Sequence, residues 1–179
     1  MHHHAIRDLI IDRYAARHGA APAADYPTYL TIGAPDAPLA VVGFRAAAEG
    51  ALFLESYLDQ PIETVVSERL GRPVPRGRIV ELGDHASSRS AATVTLWREA
   101  AVALEARADV AVAVLTRPLR AMFARLNVPL VEFAPARAEA LGGAGAAWGR
   151  YYQSDPVLCA GLVGAGRQAL EHAAAGNRR

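Results

Sequence analysis

The residues best suited to chemistry lie at 78–92, where an apolar strand with one carboxylate runs into a small polar turn and then a helix start. Backbone N–H groups that are free at a strand end and a helix start bind anionic phosphates. Glu81, set just before the turn, is placed to take a proton from a bound nucleophile. Acyl transfer from a thioester on a phosphopantetheine arm needs both features, so the segment predicts an enzyme of that type.

Three side chains of this segment are candidates for proton transfer or substrate contact. Because an unpaired carboxylate is costly to bury, Glu81 is either a general base with a raised pKa or the ion-pair partner of Arg78 or Arg45. Asp84 and His85 follow at the strand end, where site residues gather in open α/β sheets. His85 is suited to relay a proton near neutral pH, while Asp84 either contacts substrate or caps the following helix.

The rest of the segment supplies hydrogen-bond donors. Backbone N–H groups near Leu82 and Gly83 are expected to stabilise an oxyanion during acyl transfer. The side chains of the turn are expected either to bind a phosphate or to form a solvated helix cap. These turn residues are Ser87, Ser88, Arg89 and Ser90.

Further candidates lie outside this segment. Arg45 and Glu55 are charges within apolar stretches, and they either orient the acceptor or pair with each other. Resemblance to related acyltransferases implies that one of the adjacent tyrosines Tyr151 and Tyr152, with Tyr152 as our choice, protonates a leaving thiolate, although such aromatic residues more often form core walls. The aromatic residues expected to contact substrate are Tyr57 and Trp148.

Composition limits the other classes of function. A chain of 179 residues suits one domain, and a net charge of +1 supplies no strong field for nucleic acid or an anionic membrane. Cys159, the only cysteine, suits an inert core thiol better than a nucleophile partnered by His85. The amino end lacks a signal-peptide pattern, and no apolar run approaches the roughly 20 residues that span a bilayer, so we expect a cytoplasmic protein. We expect no metal site, because nothing fixes the geometry of the histidines at 2–4.

The periodicity predicts one α/β domain over residues 5–165 and a tail over 166–179. Helices are predicted at 6–17, 62–70, 90–108 and 118–126, with a weak helix after 166. Strands are predicted at 28–32, 39–44, 78–82, 109–116, 128–133 and 160–163, the first two as an antiparallel hairpin. For residues 136–147 the sequence allows either a loop or a short helix. The alternation of strands and helices in the second half favours a partly parallel sheet.

A set of motifs in this order and spacing resembles the thermostable hemolysin family over about residues 5–164. The motifs lie at 14–20, 43–45, 52–58, 61–63, 76, 79–83, 116–126 and 148–156. The resemblance implies a single-domain mixed sheet flanked by helices, of the GCN5-related N-acetyltransferase-like fold. The layout is also similar to acyl-homoserine lactone synthases, which implies long acyl chains delivered by acyl carrier protein or coenzyme A, with no permanently bound cofactor.

The chain departs from the family pattern at two points. It reads Gly83-Asp84-His85-Ala86 where the family is expected to read Gly-Asn-Leu-Ala. Its phosphate-binding segment, 87–92, lacks the glycines typical of acetyl-coenzyme A users. The phosphopantetheine arm of a carrier protein has one phosphate and no adenosine, so that segment would need to bind fewer groups than for coenzyme A.

We therefore expect an N-acyltransferase that moves an acyl group, of the fatty type, from a carrier-protein or coenzyme A thioester to a small amine by direct attack. Two alternatives stay open: a membrane-active hemolysin, and a non-catalytic module that binds acyl groups or carrier protein. The expected partners are the amine and the donor, without nucleic acid or integral membrane contact, and a homodimer is the assembly that we consider.

Overall fold

The structure is a computed structural model that describes residues 2–22 and 25–176. Its helices are α1 (His2–His18), α2 (Ile62–Leu70), α3 (Ser90–Leu104), α4 (Arg117–Arg125) and α5 (Val163–Gly176). Its strands are β1 (Thr28–Ala34), β2 (Ala37–Ala46), β3 (Ile79–Ser87), β4 (Val110–Leu115), β5 (Val131–Pro135) and β6 (Val157–Leu162). Short 3-10 helices occupy Ala47–Glu49, Phe53–Tyr57, Arg76–Arg78, Ala138–Trp148 and Tyr151–Ser154.

The strands form one mixed sheet in the order β1-β2-β3-β4-β6-β5. The β3–β4 pair is parallel, and the other neighbouring pairs are antiparallel. This arrangement confirms the predicted α/β class, the predicted hairpin of β1 and β2, and the partly parallel sheet.

Helices cover both faces of the sheet. Val41 and Val42 are neighbours on β2, so they point to opposite faces. Val41 packs in the cluster of α1, while Val42 packs in the cluster of α3 that includes Leu96. The helix α5 joins that second cluster through Leu170, so residues 166–176, which we treat as a tail, pack on the domain.

The strand β3 separates from its parallel neighbour halfway along its length. The β3–β4 ladder runs from the Ile79–Val110 pair to the Leu82–Ala113 pair. Beyond Leu82, β3 continues to Ser87 and stays paired with β2. The predicted polar turn directly after Leu82 is therefore wrong, because antiparallel pairing with β2 holds this stretch extended.

A β-bulge replaces the predicted turn. The register of the β2–β3 pair shifts between Val41 and Gly43, opposite the segment that contains Asp84. Asp84 has a φ of 49°, a left-handed conformation that Asp and Asn adopt more readily than most residues. The Gly83-Asp84 pair can therefore adopt the positive φ that a turn needs, but here that conformation forms a β-bulge instead of a turn.

The remaining differences concern boundaries. The β1–β2 turn is shorter than predicted, because the strands extend to Ala34 and from Ala37. The helix α3 ends at Leu104, before the predicted 108, and β5 lies two to three residues later than predicted. The strand β6 begins at Val157 rather than 160, because its pairing with both β4 and β5 extends through that residue. Residues 138–148 form short 3-10 helices on either side of Gly142, whose φ of 54° is not helical, so the helical alternative is the correct one for that segment.

Candidate active site

A cleft of about 650 Å³ opens where β3 and β4 separate. It receives side chains from α1, from β3 and the turn after it, from β4 and α4, and from the aromatic residues around 53–57 and 148–151. Predicted site residues that line the cleft are Tyr57, Glu81, Leu82, Gly83, Asp84, His85, Ser87, Ser88, Arg89, Ser90 and Trp148. Predicted residues outside its lining are Arg45, Glu55 and Tyr152.

Glu81 is almost completely buried, at 1% exposure, and binds two backbone donors. The Phe53 N–H donates to its Oε2 at 3.0 Å, and the Leu54 N–H donates to its Oε1 at 2.7 Å. Burial raises the pKa of Glu81, and these two hydrogen bonds oppose the rise. The carboxylate therefore fastens the 3-10 helix Phe53–Tyr57 to β3 while it lines the cleft.

The ion-pair alternatives for Glu81 are wrong. Arg78 forms its salt bridge with Asp109, at 2.7 Å. Arg45 lies opposite Glu81 in the β2–β3 register, but its guanidinium donates to the backbone carbonyls of Asp25 and Ala51. Its charge still acts on Glu81 by lowering the pKa of that carboxyl.

Two facing glycines make room for an aromatic ring in the cleft. Gly43 and Gly83 are cross-strand partners, and a Cβ at either position would collide with Tyr26. The Tyr26 side chain lies across both glycines, and the Arg45 guanidinium lies 5.6 Å from its ring centroid. Tyr26 is 7% exposed and lines the cleft, so the missing side chain of Gly83 positions an aromatic ring beside Glu81.

Asp84 contacts a tyrosine rather than a helix end. The Tyr29 hydroxyl donates to its Oδ2 at 2.8 Å, and the Tyr29 oxygen accepts the Tyr26 N–H at 3.2 Å. The predicted alternative of a cap is wrong, because α3 begins at Ser90. Burial raises the pKa of Asp84 to about 6, while the Tyr29 hydrogen bond opposes the rise and the charges of Asp25 and Glu81 add to it.

His85 lies in the cleft wall against Trp97. The two ring centroids are 5.5 Å apart, with an interplanar angle of 32°. Burial, with a smaller effect of the Arg17 charge, lowers the pKa of His85 to about 4. The imidazole is therefore neutral near pH 7, which does not suit the predicted proton relay. Within the described residues, His85 Nε2 and Trp97 Nε1 are buried without a hydrogen-bond partner.

The serine and arginine residues before α3 line the outer part of the cleft. The Ser87 hydroxyl donates to the Arg89 carbonyl at 2.7 Å, and the Ser88 hydroxyl donates to the Leu39 carbonyl at 3.0 Å. Arg89 is exposed and precedes the first residue of α3, Ser90, without a side-chain cap. The segment thus presents hydroxyls, a guanidinium and a helix start at the same edge of the cleft.

Glu55 belongs to a structural network beneath the cleft. Its carboxylate accepts from the Arg76 guanidinium at 2.7 and 3.0 Å, and from the backbone N–H groups of Leu52 and Ile62, each at 2.9 Å. Arg76 also pairs with Glu63 at 2.8 Å. The predicted alternative pairing of Glu55 with Arg45 is wrong, and these contacts use the carboxylate to hold the 3-10 helix Phe53–Tyr57 in place.

Glu55 is expected to make stability depend on pH in acid. Hydrogen bonds from Arg76, and then from Leu52 and Ile62, hold the pKa of Glu55 at about 2, below the unfolded value of 4.5. Its stabilising effect is complete above about pH 4.5 and disappears as pH falls towards 2. Urea unfolding at several pH values checks this: the stability difference between wild type and Glu55→Gln should shrink over that window. A constant difference would contradict the assignment.

Among the candidate tyrosines, Tyr57 and Tyr151 line the cleft, and the predicted Tyr152 does not. Tyr151 lines the cleft and is 7% exposed, while Tyr152 lies behind Tyr57, with 2.7 Å between the two hydroxyl oxygens. Tyr57 reaches the cleft itself, and burial raises the pKa of its phenol. Cys159 is buried in the core, and burial raises the pKa of its thiol to about 12, as expected for an inert thiol.

Sequence reasoning missed several residues of the cleft wall. They are Arg13, Tyr14, Arg17, His18, Tyr26 and Trp97. Four of these lie on the last turns of α1. The helical period of the sequence predicts which face of α1 is buried, but it does not show that these last turns line a cleft. Tyr26 follows a proline-bearing connector, and the signal that could have found it is the pair Gly43 and Gly83, which leaves space for a large ring.

The comparisons with known proteins agree with this fold. The N-acyl amino acid synthase FeeM, from uncultured soil microbes, has a TM-score of 0.61 at 14% identity, covering 93% of this chain and 94% of its own. The coenzyme A-dependent acyl-homoserine lactone synthase BjaI, solved with SAM and isopentyl-CoA, has a TM-score of 0.61 at 11% identity, covering 96% and 81%. TofI, in a ternary complex with an inhibitor and MTA, has a TM-score of 0.58 at 16% identity, covering 94% and 90%.

This chain therefore shares its fold with FeeM, BjaI and TofI. The family model described as thermostable hemolysin matches residues 1–167, so the chain belongs to the thermostable hemolysin family. A search of curated protein sequences found no match. Among the described residues, no helix combines the length and hydropathy needed to cross a membrane.

Proposed function

We propose that this protein transfers an acyl group from a phosphopantetheine thioester to a small amine. The observation that carries the proposal is the cleft between β3 and β4, which combines buried carboxylates with a helix start flanked by Arg89 and serine hydroxyls. The fold shared with acyl synthases supports this choice of chemistry. The cytoplasmic location and the homodimer remain predictions.

The donor arm is assigned to the outer part of the cleft. Its phosphate would lie at the start of α3, where backbone N–H groups and the Arg89 guanidinium favour an anion. Coenzyme A and carrier protein present the same arm, so this assignment applies to both. The thioester would then lie beside Leu82 and Gly83, where the β3–β4 ladder ends.

The acyl chain has an apolar continuation of the cleft. A second hollow of about 80 Å³ shares Leu82, Trp97, Ala113 and Leu115 with the cleft. Phe123, on α4, also lines this hollow. Phe53 and Tyr57, from the apolar stretch 52–58, line the main cleft and not this hollow.

The chemistry proposed is direct attack by the amine nitrogen on the thioester carbonyl. Glu81 accepts a proton from the amine, and its raised pKa makes it a stronger base than an exposed carboxylate. Backbone N–H groups near Leu82 and Gly83 stabilise the oxyanion. Tyr57 supplies the proton to the departing thiolate, and Tyr152 orients Tyr57 through their hydrogen bond.

The direct test is product detection by intact mass. Purified protein is incubated with acyl-coenzyme A or acyl-carrier protein of several chain lengths and with a pool of amines. We expect an amide product and an equal amount of free thiol. An absence of transfer across all donors and amines would contradict the proposal, and lysis of erythrocytes without any donor would support the hemolysin alternative instead.

Arg89→Ala is expected to weaken donor binding without slowing the chemical step. Loss of a charge-assisted contact to phosphate should raise the KM for the donor about tenfold, with kcat nearly unchanged. Steady-state kinetics with each donor type checks this. Arg98→Ala is the matched control, because Arg98 lies on α3, pairs with Glu99 and does not line the cleft. Equal effects of the two substitutions would contradict a phosphate site at Arg89.

A further inference from the structure

The positive and negative side chains that line the cleft differ in their solvent exposure. The arginines are all exposed, whereas the two carboxylates are 1% and 5% exposed. The exposed group comprises Arg13, Arg17, Arg89 and Arg125, and the buried group comprises Glu81 and Asp84. The mouth of the cleft therefore favours anions, and its interior favours a cation.

The β-bulge brings both carboxylates to one side of the sheet. Residues 81 and 84 of a regular strand would point to opposite faces. Here Asp84 reaches Tyr29, which pairs with Gly43, the cross-strand partner of Gly83, and therefore lies on the Glu81 side of the sheet. Tyr26 lies over the same glycines, and the charges of both carboxylates raise its pKa. The two carboxylates thus flank one aromatic ring.

Other groups near these carboxylates do not neutralise them. His18 and His85 line the cleft, but burial lowers the pKa of each, so both are neutral near pH 7. Arg45 is the cross-strand partner of Glu81, yet its guanidinium binds backbone carbonyls and does not line the cleft.

The rest of the cleft lining favours an organic ligand with polar groups. Aromatic rings line this part, and ring faces attract ammonium groups. They belong to Tyr14, Tyr26, Phe53, Tyr57, Trp148 and Tyr151. His85 Nε2 and Trp97 Nε1 are buried and unpartnered among the described residues, and such atoms are costly unless a ligand satisfies them.

We infer that the acceptor is an alkyl or aralkyl amine without a carboxylate, and that Glu81 and Asp84 bind its ammonium group. This inference rests on the proposed function and names the substrate class of the same site. An α-amino acid would bring its own carboxylate close to two buried carboxylates, and that repulsion is strong where water is excluded.

The reaction balances with the groups named. The bound ammonium gives one proton to a carboxylate, and the free amine then forms the C–N bond at the thioester carbon. Tyr57 protonates the thiolate as the C–S bond breaks, and the nitrogen gives its second proton back to Tyr57, so the thiolate leaves as a thiol. One amide and one thiol form, and one proton passes from the carboxylate to solvent.

Matched amine pairs test the inference without any donor. Calorimetry compares tyramine with L-tyrosine and agmatine with L-arginine, because the members of each pair differ by the carboxylate alone. We expect each amine to bind at least about tenfold more tightly than its amino acid. Asp84→Asn should weaken amine binding at least about tenfold, and its fold should survive because Asn also adopts positive φ. Asp36→Asn, in the exposed β1–β2 turn, is the control.

The outcomes separate this inference from the proposed function. Tighter binding of both amines, lost in Asp84→Asn and kept in Asp36→Asn, supports it even if no acyl transfer is found. Acyl transfer to L-tyrosine or L-arginine at least as fast as to the amines would overturn it while the proposed function stands. Equal affinity within the pairs, or no binding of either amine, would also overturn it.

Discussion

Glu81→Gln is expected to lower the kcat of acyl transfer by about 100-fold or more, because the amine loses its proton acceptor. Burial raises the pKa of Glu81, and only the ionised form acts as a base. Wild-type turnover should therefore rise as pH increases through this raised pKa. The variant should lack that step, and its residual turnover should rise only at higher pH, where free amine accumulates. The measurement is kcat against pH for both proteins.

The pH profile also separates catalysis from folding. Glutamine offers one carbonyl oxygen to the two backbone donors Phe53 and Leu54, so some loss of stability is expected as well. Reduced folding would lower kcat by the same factor at every pH, whereas a lost base changes the shape of the profile. Glu105→Gln, which removes an exposed partner of Arg167, is the control. An unchanged profile in Glu81→Gln would contradict the proposed base.

Gly83→Ala is expected to abolish measurable acyl transfer and to reduce the free energy of unfolding by about 1–3 kcal/mol. The new Cβ would lie 2.7 Å from Tyr26 Cε2 and even closer to the tyrosine hydroxyl. Tyr26 is packed beneath the Arg45 guanidinium, so it cannot move away without losing contacts. The displaced ring would disturb the cleft beside Glu81. Urea unfolding and the acyl transfer assay measure the two effects.

A double-mutant cycle tests this cause. Tyr26→Phe removes the hydroxyl that lies nearest to the new Cβ, so the two substitutions together should cost less stability than the sum of their separate effects. Gly77→Ala is the control, because a Cβ at Gly77 meets nothing within 4 Å, and we expect a change within about 0.5 kcal/mol. Additive effects of Gly83→Ala and Tyr26→Phe would show that the Tyr26 contact is not the reason.

The elements that could be predicted are those with a strong local period. The helix α1, the β1–β2 hairpin and the strand β4 were predicted near their observed positions, because apolar spacing and turn residues are visible within each segment. The strand β3 beyond Leu82 was mispredicted as a turn. Glycine and aspartate permit positive φ in a turn and in a bulge alike, and only pairing with β2 selects the bulge.

The candidate site follows the same division. The residues of β3 and the turn after it are contiguous, so the sequence could place Glu81 and Arg89 in one site. The role of Glu55 could not be predicted, because its partner Arg76 lies beyond an intervening helix. The place of Tyr26 depends on two glycines from different strands, which become neighbours only in the folded sheet.

The sequence by itself determined the fold class, the family and a carboxylate in a strand that precedes a helix start, because these depend on residue order and local period. The tertiary structure alone decided how the charges are distributed around the cleft. Strand pairing opens β3 from β4 at Leu82, and the bulge turns Asp84 towards the side of Glu81. The depth of a charge depends on what packs around it, and that packing comes from segments far apart in the chain.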